Sequence, residues 1–158
     1  QVHEFGPAYD KDSRILILGS FPSVKSREMG FYYGHPKNRF WKLLANLYQA
    51  REPEGIPEKK AFLAEHRIAL WDVIASCDIT GSSDSSIRNA VVNDIGSILK
   101  DSNIQKIYAN GKKAEGLYQK YIQPVTGIDI TGLPSTSPAN AAFSMERLLQ
   151  AWKGIKGE

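Results

Sequence analysis

The chain has 158 residues, 42% hydrophobic and 23% charged, with a formal net charge of +3, enough to bury one good core in a single domain over residues 1–158. One cysteine, Cys77, excludes an internal disulfide and a thiolate metal cluster, and His3, His35 and His66 have no ligand-like spacing, so no metal is expected. No apolar stretch approaches the ~18 residues of a membrane span, and the N-terminus lacks the layout of a signal peptide, so a soluble cytosolic protein is expected.

In chain order, Ile15 to Leu18 reads as a short buried strand. It runs into Gly19-Ser20-Phe21-Pro22-Ser23, where small residues let backbone N–H groups approach a ligand closely. This is neither a GxxxxGK[ST] phosphate loop nor a GxGxxG turn. The segment Phe31 to Trp41 is aromatic, basic and amide-rich. In it Pro36 suits a first helical position, and Phe40, Trp41, Leu44, Leu47 and Tyr48 recur at helical spacing. Arg51 to Pro57 reads as a linker. Ile68 to Trp71 is a second strand, followed by a polar loop over Gly81 to Ser86. Asn93 is placed to cap a helix carrying Ile95, Ile98 and Leu99. Lys106 to Ala109 is a third strand, and Asn110-Gly111 turns into a helix with Ala114, Leu117 and Tyr118. Ile128 to Thr131 is a fourth strand, and a last helix from about Ala141 to Trp152 buries Met145, Leu148, Leu149 and Trp152. Strands alternating with helices predict a three-layer α/β/α fold around a central four-stranded parallel sheet. Ligands of such sheets bind beyond the carboxyl ends of the strands.

Charge is uneven along the chain. Residues 20–45 carry Lys25, Arg27, Lys37, Arg39 and Lys42 against Glu28, a net of +4, whereas residues 50–101 have six basic and nine acidic residues, a net of −3. A basic rim beside an aromatic segment suits a phosphate backbone. Of Tyr32 and Tyr33, one ring is expected in the core and Tyr33 against a ligand, since an aromatic face stacks on a base with ~1–3 kcal/mol. Asn38 can hold a water through its amide, or satisfy backbone donors at the helix start. Thr131-Gly132-Leu133-Pro134-Ser135-Thr136-Ser137 offers hydroxyls and helix-start N–H groups, as a phosphate grip or as a wedge into duplex DNA. A serine nucleophile is not indicated: there is no Gly-x-Ser-x-Gly elbow, and no histidine follows Ser135.

These segments resemble the uracil-DNA glycosylase superfamily, whose members place a Gly-x-x-Pro turn after the first strand and a Pro-Ser loop after the last. His35 to Lys42 is similar to the same region of the mismatch-specific uracil and thymine glycosylases. The nearest likeness is to the hypoxanthine-DNA glycosylase family, through Gly19 to Ser23, Phe31 to Trp41, Leu70 to Cys77 and Leu133-Pro134-Ser135. Ser20 and Phe21 stand where uracil-excising relatives carry Asp, Asn or Glu, and Leu133 where others carry a histidine. The resemblance therefore implies weak uracil excision, with Asn38 taking over the water-positioning role. It implies a monofunctional glycosylase of base excision repair, active on deaminated bases, hypoxanthine first, in double- or single-stranded DNA. Neither a cofactor nor an obligate protein partner is implied. Gly19, Ser20, Phe21, Pro22, Ser23, Tyr33, Asp72 and Ser76 would bind the base, and Lys37, Arg39, Pro134, Ser135, Thr136 and Ser137 the DNA. Competing readings are a uracil glycosylase of mismatch-specific type, a catalytically silent nucleic-acid-binding member of the fold, and a flavodoxin-like small-molecule binder.

Overall fold

The computed structural model describes residues 5–21, 24–78 and 88–157; of residues 24, 25, 76–78 and 88–90 it describes the backbone alone. Four strands, β1 (Ile15–Gly19), β2 (Ile68–Asp72), β5 (Lys106–Asn110) and β6 (Ile130–Leu133), form a parallel sheet in the order β2-β1-β5-β6. A separate antiparallel pair, β3 (Ile74–Asp78) and β4 (Arg88–Val92), was not expected from the sequence. The polar loop over Gly81 to Ser86 lies outside the described residues.

Strand alternation sends neighbouring residues to opposite faces. Ile17, Leu70, Tyr108 and Leu133 enter one core. They pack there with Phe40 and Leu44 of α2 (Phe40–Leu47), Phe62 of α3 (Gly55–His66), and Leu148 and Trp152 of α7 (Met145–Trp152). Leu16, Leu18, Ala69 and Ile107 enter the other, beneath Ile95 and Ile98 of α4 (Ile95–Lys100) and Tyr118 of α5 (Lys112–Tyr121). Helices on both faces of a four-stranded parallel sheet give the three layers expected. Two short helices, α1 (Val24–Met29) and α6 (Gln123–Thr126), complete the set. Among the described residues no helix is long and apolar enough to cross a membrane.

Several boundaries differ from the expectation for local chemical reasons. Pro36 lies in a turn closed by the Asn38 N–H on the His35 carbonyl at 2.9 Å, and α2 begins only at Phe40. Residues 55–57, expected in a linker, open α3, since proline is tolerated in a first helical turn, where its missing N–H has no partner to lose. Asp94, not Asn93, caps α4 by accepting the Ser97 N–H at 3.2 Å. Asn93 instead donates to the Asp72 carbonyl at 2.8 Å and ties β4 to the end of β2. The fourth strand starts two residues late because the Ile128 carbonyl is held by the Tyr118 hydroxyl at 2.6 Å. The last helix starts at Met145, where Ser144 accepts the Arg147 N–H at 3.2 Å. Met145 and Leu149 are only partly buried on it.

Candidate active site

The strand order turns around between β1 and β5, so their following loops diverge and leave a crevice at the carboxyl edge of the sheet. Gly19, Asp72, Asn110 and Leu133 end the four strands there. Asp72 is 3% exposed and sits against Gly19, where any Cβ would overlap its carboxylate. That same Cβ would lie 3.3 Å from the Tyr33 hydroxyl. A glycine is what allows the carboxylate and the phenol to meet at the end of β1.

Tyr33 has φ of +55°, a conformation rare for a bulky side chain. Its ring stacks on Phe40 at 4.0 Å between centroids and 26° between planes. The hydroxyl is buried beside the Asn110 amide yet makes no hydrogen bond of ordinary geometry. Burial, and then the Asp72 carboxylate, push its pKa up, so it stays a neutral donor. Tyr32 is 1% exposed and donates to the Gly6 carbonyl at 2.8 Å, and burial, then the Asp72 carboxylate, push its pKa up as well. Tyr32 is thus a core residue, while Tyr33 is partly buried against the same core and lines the cleft described next.

A cleft of about 480 Å³ opens beside Tyr33, lined also by Lys37, Asn38, Arg39, Lys42 and Lys59, with Glu52 and Glu54 on its wall. Burial lowers the pKa of Lys59, whose ammonium lies 5.3 Å from the Trp41 ring centroid. A larger groove of about 880 Å³ runs between α2 and α7; neither it nor the cleft beside Tyr33 is lined by the strand-end residues Gly19, Asp72, Asn110 and Leu133.

Asn38 stands two residues before α2 rather than in its first turn. Its Oδ1 accepts the Phe40 N–H at 3.0 Å and the Thr136 hydroxyl at 2.8 Å. The backbone at Thr136 is fixed by two further bonds: its carbonyl accepts the Arg39 N–H at 3.1 Å, and its N–H donates to Asn110 Oδ1 at 3.0 Å. Asn110 Nδ2 then donates to Thr136 Oγ1, also at 3.0 Å. Sequence reasoning took Asn110 only as a turn former. Its signal was an amide side chain at the carboxyl end of a buried strand, the edge where ligands bind.

Three of the expected DNA and base contacts are turned inward. Thr136 is 0% exposed, so its hydroxyl serves Asn38 and Asn110 rather than a phosphate. The Arg39 guanidinium donates to the carbonyls of Phe143, Ser137 (3.0 Å) and Asn140 (3.1 Å), clamping the loop before α7. Phe21 packs in the core with Leu18 and Val73, with the Arg27 guanidinium 5.5 Å from its ring centroid. Thr136 and Arg39 are captured because their partners are supplied by distant segments. Lys37 is exposed at the cleft. Ser20 is partly buried just past β1. Ser135 packs on Gly111, where φ is +97°, and accepts the Ser137 N–H at 3.1 Å. The Ser137 hydroxyl accepts the Ala139 N–H at 3.1 Å. The Pro134 carbonyl accepts the Trp152 indole N–H at 2.9 Å. Pro22 and Ser23, and the side chain of Ser76, lie outside the described residues, although Ser76 pairs with Val91 in the β3–β4 ladder.

Beside this arrangement of an amide, a phenol and a buried carboxylate near the strand ends stands the match that shows the class: residues 7–156 match the model of the uracil DNA glycosylase superfamily, and the chain belongs to that superfamily. Particular relatives follow. The chain is 38% identical over 154 residues to the hypoxanthine DNA glycosylase of Methanosarcina acetivorans, covering 96% of this chain and 95% of that one. It is 35% identical over 139 residues to the hypoxanthine DNA glycosylase of Methanosarcina barkeri, covering 86% of each. The solution NMR structure of a candidate uracil DNA glycosylase from Methanosarcina acetivorans superposes with a TM-score of 0.82 at 34% identity, over 96% of this chain and 94% of that one. Superfamily and fold are those expected from the sequence.

Proposed function

We propose that this chain is a monofunctional DNA glycosylase of base excision repair that hydrolyses the N-glycosidic bond of deoxyinosine, releasing hypoxanthine and leaving an abasic site. The observation that carries the reading is the fixed Asn38 amide beside Tyr33 in a lysine-lined cleft, tied through Thr136 to Asn110 at the end of β5. Two relatives named hypoxanthine DNA glycosylases, each matching most of the chain, support the choice of base. So does Ser20 in a position where uracil-excising relatives carry a carboxylate or amide.

The target nucleotide leaves the duplex at a cost of about a few kcal/mol, least for a mispaired base. Tyr33 offers a stacking surface, Asp72 and the backbone past β1 offer groups that read the base edge, and Lys37 offers phosphate contact. The C1′–N9 bond breaks with its electron pair going to the base. The water held by Asn38 adds its oxygen to C1′, and the proton it loses ends on the released base through solvent. The sugar passes through an oxocarbenium-like state, so a strong nucleophile is unnecessary, and fixed donors stabilise the separating charges. No cofactor takes part.

The test is a set of duplexes carrying one deoxyinosine, deoxyxanthosine or deoxyuridine, with alkali to reveal abasic sites. Fastest cleavage at deoxyinosine is expected. Faster release of uracil would overturn the base assignment, strand nicking without alkali the monofunctional one, and binding without any abasic product the enzymatic one.

A further inference from the structure

The hydrogen-bond polarity around Asn38 can be read without ambiguity. The Phe40 N–H is an obligate donor, so the atom of Asn38 facing it is the oxygen, and the amide cannot be flipped. The Thr136 N–H fixes the Asn110 amide in the same way, so Asn110 turns Nδ2 toward Thr136 Oγ1. Thr136 Oγ1 therefore accepts from Asn110 and donates its own hydrogen to Asn38 Oδ1 at 2.8 Å. The direction of every bond is set: Asn110 to Thr136 to Asn38. Both lone pairs of Asn38 Oδ1 are filled, by Phe40 N–H and Thr136 O–H. Among the described residues Asn38 Nδ2 has no protein partner, and Asn38 lines the cleft.

We infer that Asn110 and Thr136 are positioning residues that lock the Asn38 amide with its Nδ2 toward the cleft, so that Asn38 acts as a hydrogen-bond donor to the oxygen of the attacking water and not as an acceptor of its hydrogen. The donor role rests on the glycosylase reading above; the lock does not. Filling Oδ1 with two donors polarises the amide and strengthens its N–H groups as donors. A water accepting one such hydrogen keeps a second lone pair for C1′, and its own hydrogens are left for solvent or the DNA phosphate. The arrangement also explains why a buried threonine stands in the loop after β6: a hydroxyl both accepts and donates, and so passes polarity from one amide to the next.

Three variants test this in single-turnover cleavage of a deoxyinosine duplex. Asn38→Asp replaces the donor by a carboxylate oxygen and should lower the rate about 100-fold or more, the usual loss when a fixed donor is removed. Were Asn38 an acceptor of the water's hydrogen, the carboxylate would serve as well or better, so a rate near or above that of the wild type overturns the donor role. Thr136→Val keeps the shape but breaks the relay; it should lower the rate about 10- to 100-fold through misplacement while leaving duplex affinity unchanged, and Thr136→Ser should restore it. A normal rate in Thr136→Val, an equal loss in both variants, or a loss confined to affinity would each overturn the positioning role. The side-chain amide NMR signals of Asn38 should shift in Thr136→Val and return in Thr136→Ser. Unmoved signals overturn the lock whatever the activity. A wild type without base release but with those shifts would remove the glycosylase reading and the donor role built on it, and leave the lock standing.

Discussion

Tyr33 carries two costs in one residue. A left-handed backbone conformation in a non-glycine residue costs about 1–2 kcal/mol, and a buried phenol without a hydrogen bond costs about 1–3 kcal/mol more; both are present at Tyr33. Stacking on Phe40 holds the ring in place against them. Such strain at the edge of a cleft fits a group kept ready for a ligand. Tyr33→Phe should therefore be as stable as the wild type, or more stable by about 1 kcal/mol in urea denaturation, and slower in deoxyinosine cleavage. A marked loss of stability would mean that the hydroxyl is already bonded in the free protein. Gly19→Ala tests the neighbouring close approach. Its Cβ meets a buried Asp72 with no room to swing away, so a loss of about 1–3 kcal/mol is expected, as for other overpacked sites. The place of Gly19 after an apolar run read as room for a ligand beside the backbone, and the role it plays against Asp72 was not legible there. Nor was the role of Thr136, because the residues it bonds lie 26 and 98 positions away, at Asn110 and Asn38.

Among the elements, the four sheet strands could be read from runs of apolar and β-branched residues, but β3 and β4 could not. They flank a polar stretch with no two-residue turn signal, and nothing local marks them as partners. The segment before α2 misled in another way: basic residues were grouped by sequence, whereas the fold separates them. Arg39 is turned in to clamp three carbonyls of the loop before α7, and Lys37, two residues earlier, is exposed. The two should part company on mutation. Arg39→Gln should lower unfolding stability by about 2–3 kcal/mol, the scale of lost charge-assisted bonds. Lys37→Ala should change stability by less than about 0.5 kcal/mol and reduce the salt slope of DNA binding by about one. A stable Arg39→Gln that binds DNA poorly would reverse the assignment.

For the molecule as a whole, Lys37, Lys42 and Lys59 line one cleft, and DNA bound there would have an affinity set by ionic strength. If all three meet phosphates, log K should fall with log[salt] at a slope of about −3, measured by fluorescence anisotropy on a deoxyinosine duplex; a flat dependence would place the DNA elsewhere. Lys59 is the exception among them, since burial lowers its pKa. It loses its charge at a lower pH than a free lysine would. Affinity should start to fall before exposed lysines titrate, and Lys59→Arg should move that decline to higher pH.

The hold on Asn38 also has an order in time. Asn38 emerges from the ribosome before its partners, because the Thr136 hydroxyl and the carbonyls that seat Arg39 belong to the segment running from β6 into α7. A nascent chain that ends before β6 carries the amide held by the Phe40 N–H alone. On the proposed reading, base release at its full rate begins only once the segment from β6 into α7 has been translated.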